Sequence, residues 1–132
     1  MFKFHHSSIH SLQVELPPVV KTSNDLELQL KDFYEKARLP FGRLELMTGI
    51  KERRFWPKGE RPSSGAIKAG LKTLKASNLS SKDIEVLAFC SVSRDFLEPA
   101  TASVVHRGLG LNSKCMIFDV SNAHAMLPIQ VI

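Results

Sequence analysis

The chain has 132 residues and a net charge of +5, with 43% hydrophobic and 23% charged residues. This length allows one domain with a modest core, and the composition is typical of soluble globular proteins. No apolar run approaches the roughly 18 residues that a membrane span needs, and the N-terminus lacks the long apolar stretch of a secretory signal. The charge permits an acidic partner but does not require one.

The N-terminal segment has the composition of a strand. Partial alternation of apolar residues predicts a strand over residues 2–14, which ends at the following pair of prolines. Residues 19–22 then form an extended connector.

The first helix follows this connector and has a recognisable start. Thr22 and Asp25 have capping-box spacing, and Ser23 and Asn24 are alternative caps. Pro40 ends the helix, because proline disfavours helical backbone in the residue before it. One face of the helix carries Leu26, Leu30, Phe33 and Ala37.

Residues 41–61 are predicted as loop and short strand, and they hold the densest charge in the chain. Basic side chains surround Phe55 and Trp56, a combination that can mark nucleic-acid binding. Glu52 and Glu60 interrupt the basic run, so a solvated strand edge with Trp56 packed beneath it is the preferred interpretation. Turns are predicted at Phe41-Gly42, Thr48-Gly49 and Pro57-Lys58-Gly59.

The second half of the chain alternates helices and strands. A helix starts at Ser63 or Ser64 and ends at Asn78, and Ile67, Leu71 and Leu74 form its apolar face. The apolar run 84–92 predicts a strand covered on both faces, followed by a loop over residues 93–98. Pro99 suits the first position of a short helix through His106, which the glycines of residues 108–110 break.

The last predicted strand, residues 115–120, runs into a sharp turn at Ser121-Asn122-Ala123. A strand that enters a turn before a helix is how α/β enzymes present a nucleophile, since the helix N-terminus supplies N–H groups and positive potential. His124 is the residue expected at the exposed position. The order of elements therefore predicts a layered α/β domain that is incomplete, with Pro128 in the middle of the helix expected after the turn.

Several segments together resemble the 3-oxoacyl-(acyl-carrier-protein) synthase III group of the thiolase superfamily. Residues 47–54 are similar to its Thr-Gly-Ile-x-Glu-Arg segment, and residues 91–106, 109–111 and 118–123 continue the match in order. Within this group, the sequence of these segments is most similar to the branch that joins long acyl chains in olefin biosynthesis. The resemblance implies the N-terminal half of a thiolase-like fold, a layered α/β/α arrangement around a mixed sheet. It covers residues 2–123.

The resemblance implies a Claisen condensation of acyl thioesters. In the family a cysteine at the turn accepts an acyl group, and a second thioester supplies the carbanion that attacks it. His124 stands at the position of that cysteine, and an acyl-imidazole hydrolyses readily. The family's coenzyme A-stacking tryptophan and an arginine map onto Arg43 and Met47, so those contacts do not carry over. The family's C-terminal half is not present in these residues.

Glu98 matches a glutamate that, in the long-chain branch, reaches into the neighbouring subunit's acyl site and can act as a base. The alternative for Glu98 is an acid that caps the helix behind it. His106 is interpreted as a helix-surface residue, and His5, His6 and His10 lack the further ligand types of a metal site. No cofactor or metal is expected. Cys90 and Cys115 lie in apolar runs and favour buried thiols in the cytoplasm.

Three hypotheses follow for function. The first is a thiolase-like N-terminal domain over residues 1–123 that is inactive alone. The parent enzyme would be a homodimeric acyltransferase that uses acyl-CoA or acyl-carrier-protein thioesters. The second is a non-catalytic homologue that binds an active subunit or an acyl carrier. A nucleic-acid-binding module is the least favoured. Residues 124–132 are expected to be a tail outside the family pattern, from a shifted reading frame or a truncated gene.

Overall fold

The computed structural model describes residues 6–121, which divide into two compact units. The small unit comprises Leu16–Glu60, and the large unit comprises residues 6–15 and 61–121. Along the chain the elements are β1 (Val19–Thr22), α1 (Ser23–Gln29), α2 (Lys31–Lys36), α3 (Arg43–Thr48), β2 (Glu52–Phe55), α4 (Pro62–Ser77), a 3-10 turn (Ser81–Asp83), β3 (Val86–Cys90), α5 (Thr101–Leu109) and β4 (Met116–Val120).

The small unit contains a two-stranded antiparallel sheet. Val19 pairs with Phe55 and Thr22 with Glu52, so the expected extended connector is in fact strand β1. This assignment was wrong because the partner strand lies about thirty residues further along the chain, beyond what local alternation reports. Gly42 and Gly59 have positive φ and lie in turns, as predicted, whereas Gly49 also has positive φ but ends helix α3.

The first predicted helix is two short helices, and it buries a different face from the one expected. The Thr22–Asp25 capping box is present, but α1 ends at Leu30, whose φ of −103° and ψ of 20° are not helical. Leu30 and Phe33 are 54% and 59% exposed, whereas Glu27 and Tyr34 are buried. The helix α3 was missed altogether, because its start has Gly42 in a left-handed conformation and no side-chain cap from a neighbouring residue.

In the large unit, residues 6–14 are not in a strand, contrary to the prediction for 2–14; residues 2–5 lie outside the described range. This segment instead runs beside α4. The ring of His10 bonds the carbonyl oxygen of Ser77, and Lys72 contacts both the Val14 carbonyl oxygen and the Glu15 carboxylate. Side-chain contacts to a helix therefore replace the strand partners that partial alternation suggested.

The core of the large unit lies between a parallel sheet and two helices. β3 pairs with β4 in parallel, from Val86 opposite Met116 to Cys90 opposite Val120. Helix α4 ends at Asn78, as predicted, and packs on α5, although Leu71 of its predicted apolar face is exposed. The buried hydrophobic residues of this core are Ile84, Leu87, Phe89, Ala102, Val105, Leu109, Leu111 and Cys115.

Strand β3 is confirmed, but it is not buried on both faces. Leu87 and Phe89 are buried, while the alternate residue Val86 is 37% exposed. The following helix, α5, begins at Thr101 and ends at Leu109, later at both ends than the predicted 99–106. Gly108 lies inside this helix and does not break it; Gly110 ends it in a left-handed conformation.

Candidate functional site

The candidate site lies at the edge where β3 and β4 end. Because the strands are parallel, Ser91 and Ser121 leave the sheet side by side, and the Ser91 N–H donates to the Val120 carbonyl oxygen at 3.1 Å. In α/β sheets, ligands gather at this edge. His124 lies outside the described residues, three positions beyond Ser121.

The loop over residues 91–100 connects β3 to α5 and carries Glu98. Glu98 is exposed, and its neighbour Leu97 is 85% exposed, so the tip of the loop points into solvent. The guanidinium of Arg61 lies 4.7 Å from the centre of the Phe96 ring, a cation–π contact. The loop therefore has an exposed tip, and a cation–π contact joins its Phe96 to the residue before α4.

The N-termini of α4 and α5 are capped by aspartates from distant parts of the chain. The residues before these helices, Arg61 and Ala100, make no side-chain cap. Asp95 instead accepts from the N–H of Ser63 at 2.9 Å and from its hydroxyl at 2.5 Å. The carboxylate of Asp119 accepts from the N–H groups of Thr101 and Ala102, each at 2.8 Å.

Asp119 therefore takes the capping role that was considered for Glu98. Glu98 lies three positions before α5, whereas Asp119 reaches the helix from β4 with both carboxylate oxygens. The capping interpretation of Glu98 is wrong for this reason. Nothing in the local sequence before α5 signals a cap supplied by a residue 18 positions away.

A second set of contacts joins the loop to the end of β4. The guanidinium of Arg94 donates to the Ser121 hydroxyl oxygen at 2.8 Å and 3.3 Å, and that hydroxyl donates to the Ser91 carbonyl oxygen at 3.0 Å. The strand that leads toward position 124 is thus hydrogen-bonded to the loop that carries Glu98.

Cys90 ends β3 at this edge, whereas Cys115 and His106 lie away from it. Cys115 is buried just before β4 begins, and burial raises the pKa of its thiol, which disfavours the nucleophilic thiolate. The His106 ring bonds the carbonyl oxygen of Asn112 beyond the C-terminal end of α5. Within residues 6–121, no three His, Cys, Asp or Glu side chains cluster as metal ligands would.

The chain matches no protein-family model, but it is similar to individual condensing enzymes. It is 41% identical over 121 residues to an acyl-CoA:acyl-CoA alkyltransferase of Shewanella oneidensis, covering 92% of this chain and 35% of that protein. The corresponding enzyme of Xanthomonas campestris is 37% identical over 120 residues, covering 91% and 36%. A β-ketoacyl-(acyl-carrier-protein) synthase III of Clostridioides difficile is 38% identical over 76 residues, covering 58% and 23%.

Solved structures agree with these matches. Cerulenin-bound Xanthomonas campestris OleA superimposes with a TM-score of 0.82 at 36% identity, over 87% of this chain and 33% of that one. The synthase FabH of Xanthomonas oryzae gives 0.82 at 35% identity, over 87% and 34%. The chain is homologous to the thiolase-like condensing enzymes. It spans about a third of the length of the two alkyltransferases and of the two superimposed structures, and it corresponds to their N-terminal part.

Residues 48–50, which match the family's Thr-Gly-Ile segment, have a structural role in the small unit. The N–H of fully buried Ser23 donates to the Lys51 carbonyl oxygen at 2.8 Å, and its hydroxyl donates to the Ile50 carbonyl oxygen at 2.5 Å. Arg53 donates to the Ser23 hydroxyl at 2.9 Å and to that of Thr48 at 3.5 Å. The motif thus joins the start of α1 to the turn before β2.

The basic segment around β2 is partly involved in this packing. Arg53 is half-buried by its contacts with two hydroxyl groups, and Arg54 donates to the Pro17 carbonyl oxygen at 3.4 Å. Trp56 is half-buried directly after the strand. These contacts favour the strand-edge interpretation of the segment over a nucleic-acid surface. No helix among residues 6–121 is long and apolar enough to cross a membrane.

Proposed function

We propose that this chain supplies the N-terminal part of an acyl-thioester condensing fold in which His124 stands where relatives carry a cysteine, and Glu98 serves as a base in a neighbouring subunit. The observation that carries the proposal is a spacing. OleA of Xanthomonas campestris has been solved with a glutamate replaced and with a cysteine replaced, and those two positions are separated by the same number of residues as Glu98 and His124.

The reaction of the family needs two steps. A cysteine thiolate attacks the carbonyl carbon of an acyl thioester, the carbon–sulfur bond breaks, and the carrier thiol leaves. A base then removes a proton from the α-carbon of a second acyl thioester. The resulting carbanion attacks the acyl-enzyme, a carbon–carbon bond forms, and the enzyme thiolate is released. Glu98, on an exposed loop tip, is suited to reach into a second subunit as that base.

His124 is expected to fail at the first step. An imidazole nitrogen can attack a thioester, but water hydrolyses the acyl-imidazole before a second substrate reacts. The buried Cys115 does not substitute for the missing thiol, since its pKa is raised. We therefore propose that the chain by itself has no condensing activity.

The proposal is tested by incubating the purified chain with a long-chain acyl-CoA and measuring intact mass and 3-oxoacyl product. We expect neither a stable acyl adduct nor product, while OleA of Xanthomonas campestris, treated in parallel, serves as the positive control. If an adduct does form, His124→Ala shows whether residue 124 carries it. A stable adduct on the unmodified chain, or 3-oxoacyl product, would contradict the proposal.

An open apolar sheet face favours a second function, that of a non-catalytic partner for a complete condensing subunit. Met116 and Phe118 of β4 are 63% and 41% exposed. Co-expression with the Shewanella oneidensis relative, followed by size-exclusion chromatography, tests this function. Co-elution in a fixed ratio supports it, and separate elution contradicts it. For the complete fold we propose a cytoplasmic homodimer that acts on acyl-CoA or acyl-carrier-protein thioesters.

We also propose that family sequence ends at Ala123 and that residues 124–132 derive from another reading frame. The similarity to the family's sequence continues to Ala123. Pro128 would interrupt the helix that is expected after the turn. Sequencing the coding DNA and translating all three frames beyond this codon decides the matter. A cysteine at position 124 in another frame, followed by thiolase-like sequence, supports the proposal. The absence of such a frame overturns it.

A further inference from the structure

The loop that carries Glu98 is held on the two sides of its tip, at Asp95 and at Thr101, by contacts that involve aspartate side chains. Each of these aspartates lies outside the helix that it caps. Asp95, within the loop, holds the N-terminus of α4 through Ser63, which is 3% exposed. Asp119, in β4, holds the N-terminus of α5 through Thr101, which is fully buried. Four hydrogen bonds to two carboxylates thus fix the chain before and after the exposed tip of the loop.

The two anchors are also linked to each other. The N–H of Asp95 donates to the hydroxyl oxygen of Thr101 at 3.2 Å, and the Thr101 N–H donates to Asp119. Asp119 lies five residues before His124 in the same segment of chain. A displacement of β4 would therefore be passed to the Glu98 loop through Asp119, Thr101 and Asp95.

We infer that Asp95 and Asp119 are positioning residues that act through the N-termini of α4 and α5 to hold Glu98 at a fixed place relative to the end of β4. This inference deepens the proposed function and rests on it for the role of Glu98. Each carboxylate accepts two hydrogen bonds from its helix N-terminus, a stronger restraint than a single neutral cap. Such a restraint would orient a base before a partner subunit arrives.

Amide hydrogen exchange read by mass spectrometry tests the inference without requiring acyl transfer. We expect Asp95→Ala and Asp119→Ala to speed exchange in peptides spanning residues 91–102 by between roughly twofold and thirtyfold, the range for loss of one helix cap. Peptides from β3 and the centre of α4 should be unchanged. Asp83→Ala is the matched control, since Asp83 caps a 3-10 turn in the same unit through the Ser80 N–H.

A nitroxide label beside Glu98 gives an independent reading of the loop tip. Leu97→Cys, with Cys90→Ala and Cys115→Ala, carries the label at an exposed position. The label should become more mobile when Asp95 or Asp119 is replaced, and Asp95→Asn and Asp119→Asn provide near-isosteric versions if an alanine variant does not fold. Uniform loosening of the whole unit, or an unchanged loop, overturns the inference. Neither reading depends on the acyl-adduct result, so the proposed function can fail separately.

Discussion

The residue Glu27 shows how a single buried carboxylate can organise the small unit. It is fully buried and accepts hydrogen bonds from the N–H groups of Leu44 at 2.6 Å and Gly42 at 2.5 Å and from the Tyr34 hydroxyl at 3.1 Å. Hydrogen bonds from the Leu44 N–H, the Gly42 N–H and the Tyr34 hydroxyl lower the pKa of Glu27 from its ordinary 4.5, although burial acts in the opposite direction. Glu27 therefore caps α3 from α1.

We predict that Glu27→Gln lowers the thermal midpoint at pH 7 by several degrees, because an amide group presents its own N–H to backbone donors. The pKa of Glu27 is depressed by folding, so its contribution is present above the unfolded pKa and is lost as pH falls through the folded pKa. Below about pH 4.5 the difference between Glu27→Gln and the unaltered chain should shrink. Circular dichroism melts across this range measure it.

Exposed Glu45, in the first turn of α3, provides the control for this prediction. Glu45→Gln should change the midpoint little, since surface substitutions away from specific contacts usually have small effects. A Glu27→Gln deficit that stays constant from pH 7 down to pH 3 would show that the lowered pKa is not the cause.

At the scale of elements, the contact between α4 and α5 depends on two glycines. A Cβ on Gly108 would lie 2.4 Å from Cδ1 and 2.7 Å from Cγ1 of Ile67, and one on Gly70 would lie 2.9 Å from Cδ2 of Leu109. Each helix thus offers a glycine to a branched side chain of the other. Gly70 and Gly108 are therefore needed for the close approach of the two helices.

We predict that Gly108→Ala destabilises the large unit. Overpacking of this kind costs about 1–3 kcal/mol, and alanine recovers about 1 kcal/mol of helix propensity, so a net loss of about 1 kcal/mol is expected. Urea unfolding measures the loss. In the double variant with Ile67→Ala the penalty of Gly108→Ala should vanish, and strict additivity of the two changes would exclude the steric explanation.

At the scale of the whole molecule, residues 6–121 cover only one face of the β3–β4 sheet, and on that face Ile117 is still 36% exposed. Leu87 and Asp119 point toward α5, while the alternate positions carry Met116 and Phe118, which are exposed, and Val86. Parallel sheets normally have both faces covered. An apolar face of this kind, on a chain that spans a third of its relatives, favours association with further protein.

We predict that the isolated chain self-associates strongly or is poorly soluble. Met116→Lys and Phe118→Lys should each shift the chain toward monomer in size-exclusion chromatography with light scattering, because a buried ammonium group opposes the contact. Leu71→Lys, at a comparably exposed position on α4, is the matched control and should have no such effect. A monodisperse monomer with cooperative unfolding would contradict the prediction.

The sequence by itself determined the features that depend on neighbouring residues. The capping box at Thr22, the end of α4 at Asn78, the apolar strand β3 and the turns at two of the glycines all have local causes, and the structure confirms them. The order of the motifs also predicted the similarity to thiolase-like condensing enzymes that the comparisons confirm, because motif spacing is a property of the chain alone. Within the candidate site, Glu98 was found in this way, and its role remains a prediction.

Only the tertiary structure decided which distant groups satisfy one another. Strand β1 exists because β2 pairs with it, and Glu27 is buried because α3 presents its free N–H groups to it. The caps of α4 and α5 come from Asp95 and Asp119, each at least 17 residues from the helix N-terminus it serves. A local pattern predicts where a helix needs a cap, but a buried N–H donates to any acceptor that the fold brings within hydrogen-bonding distance.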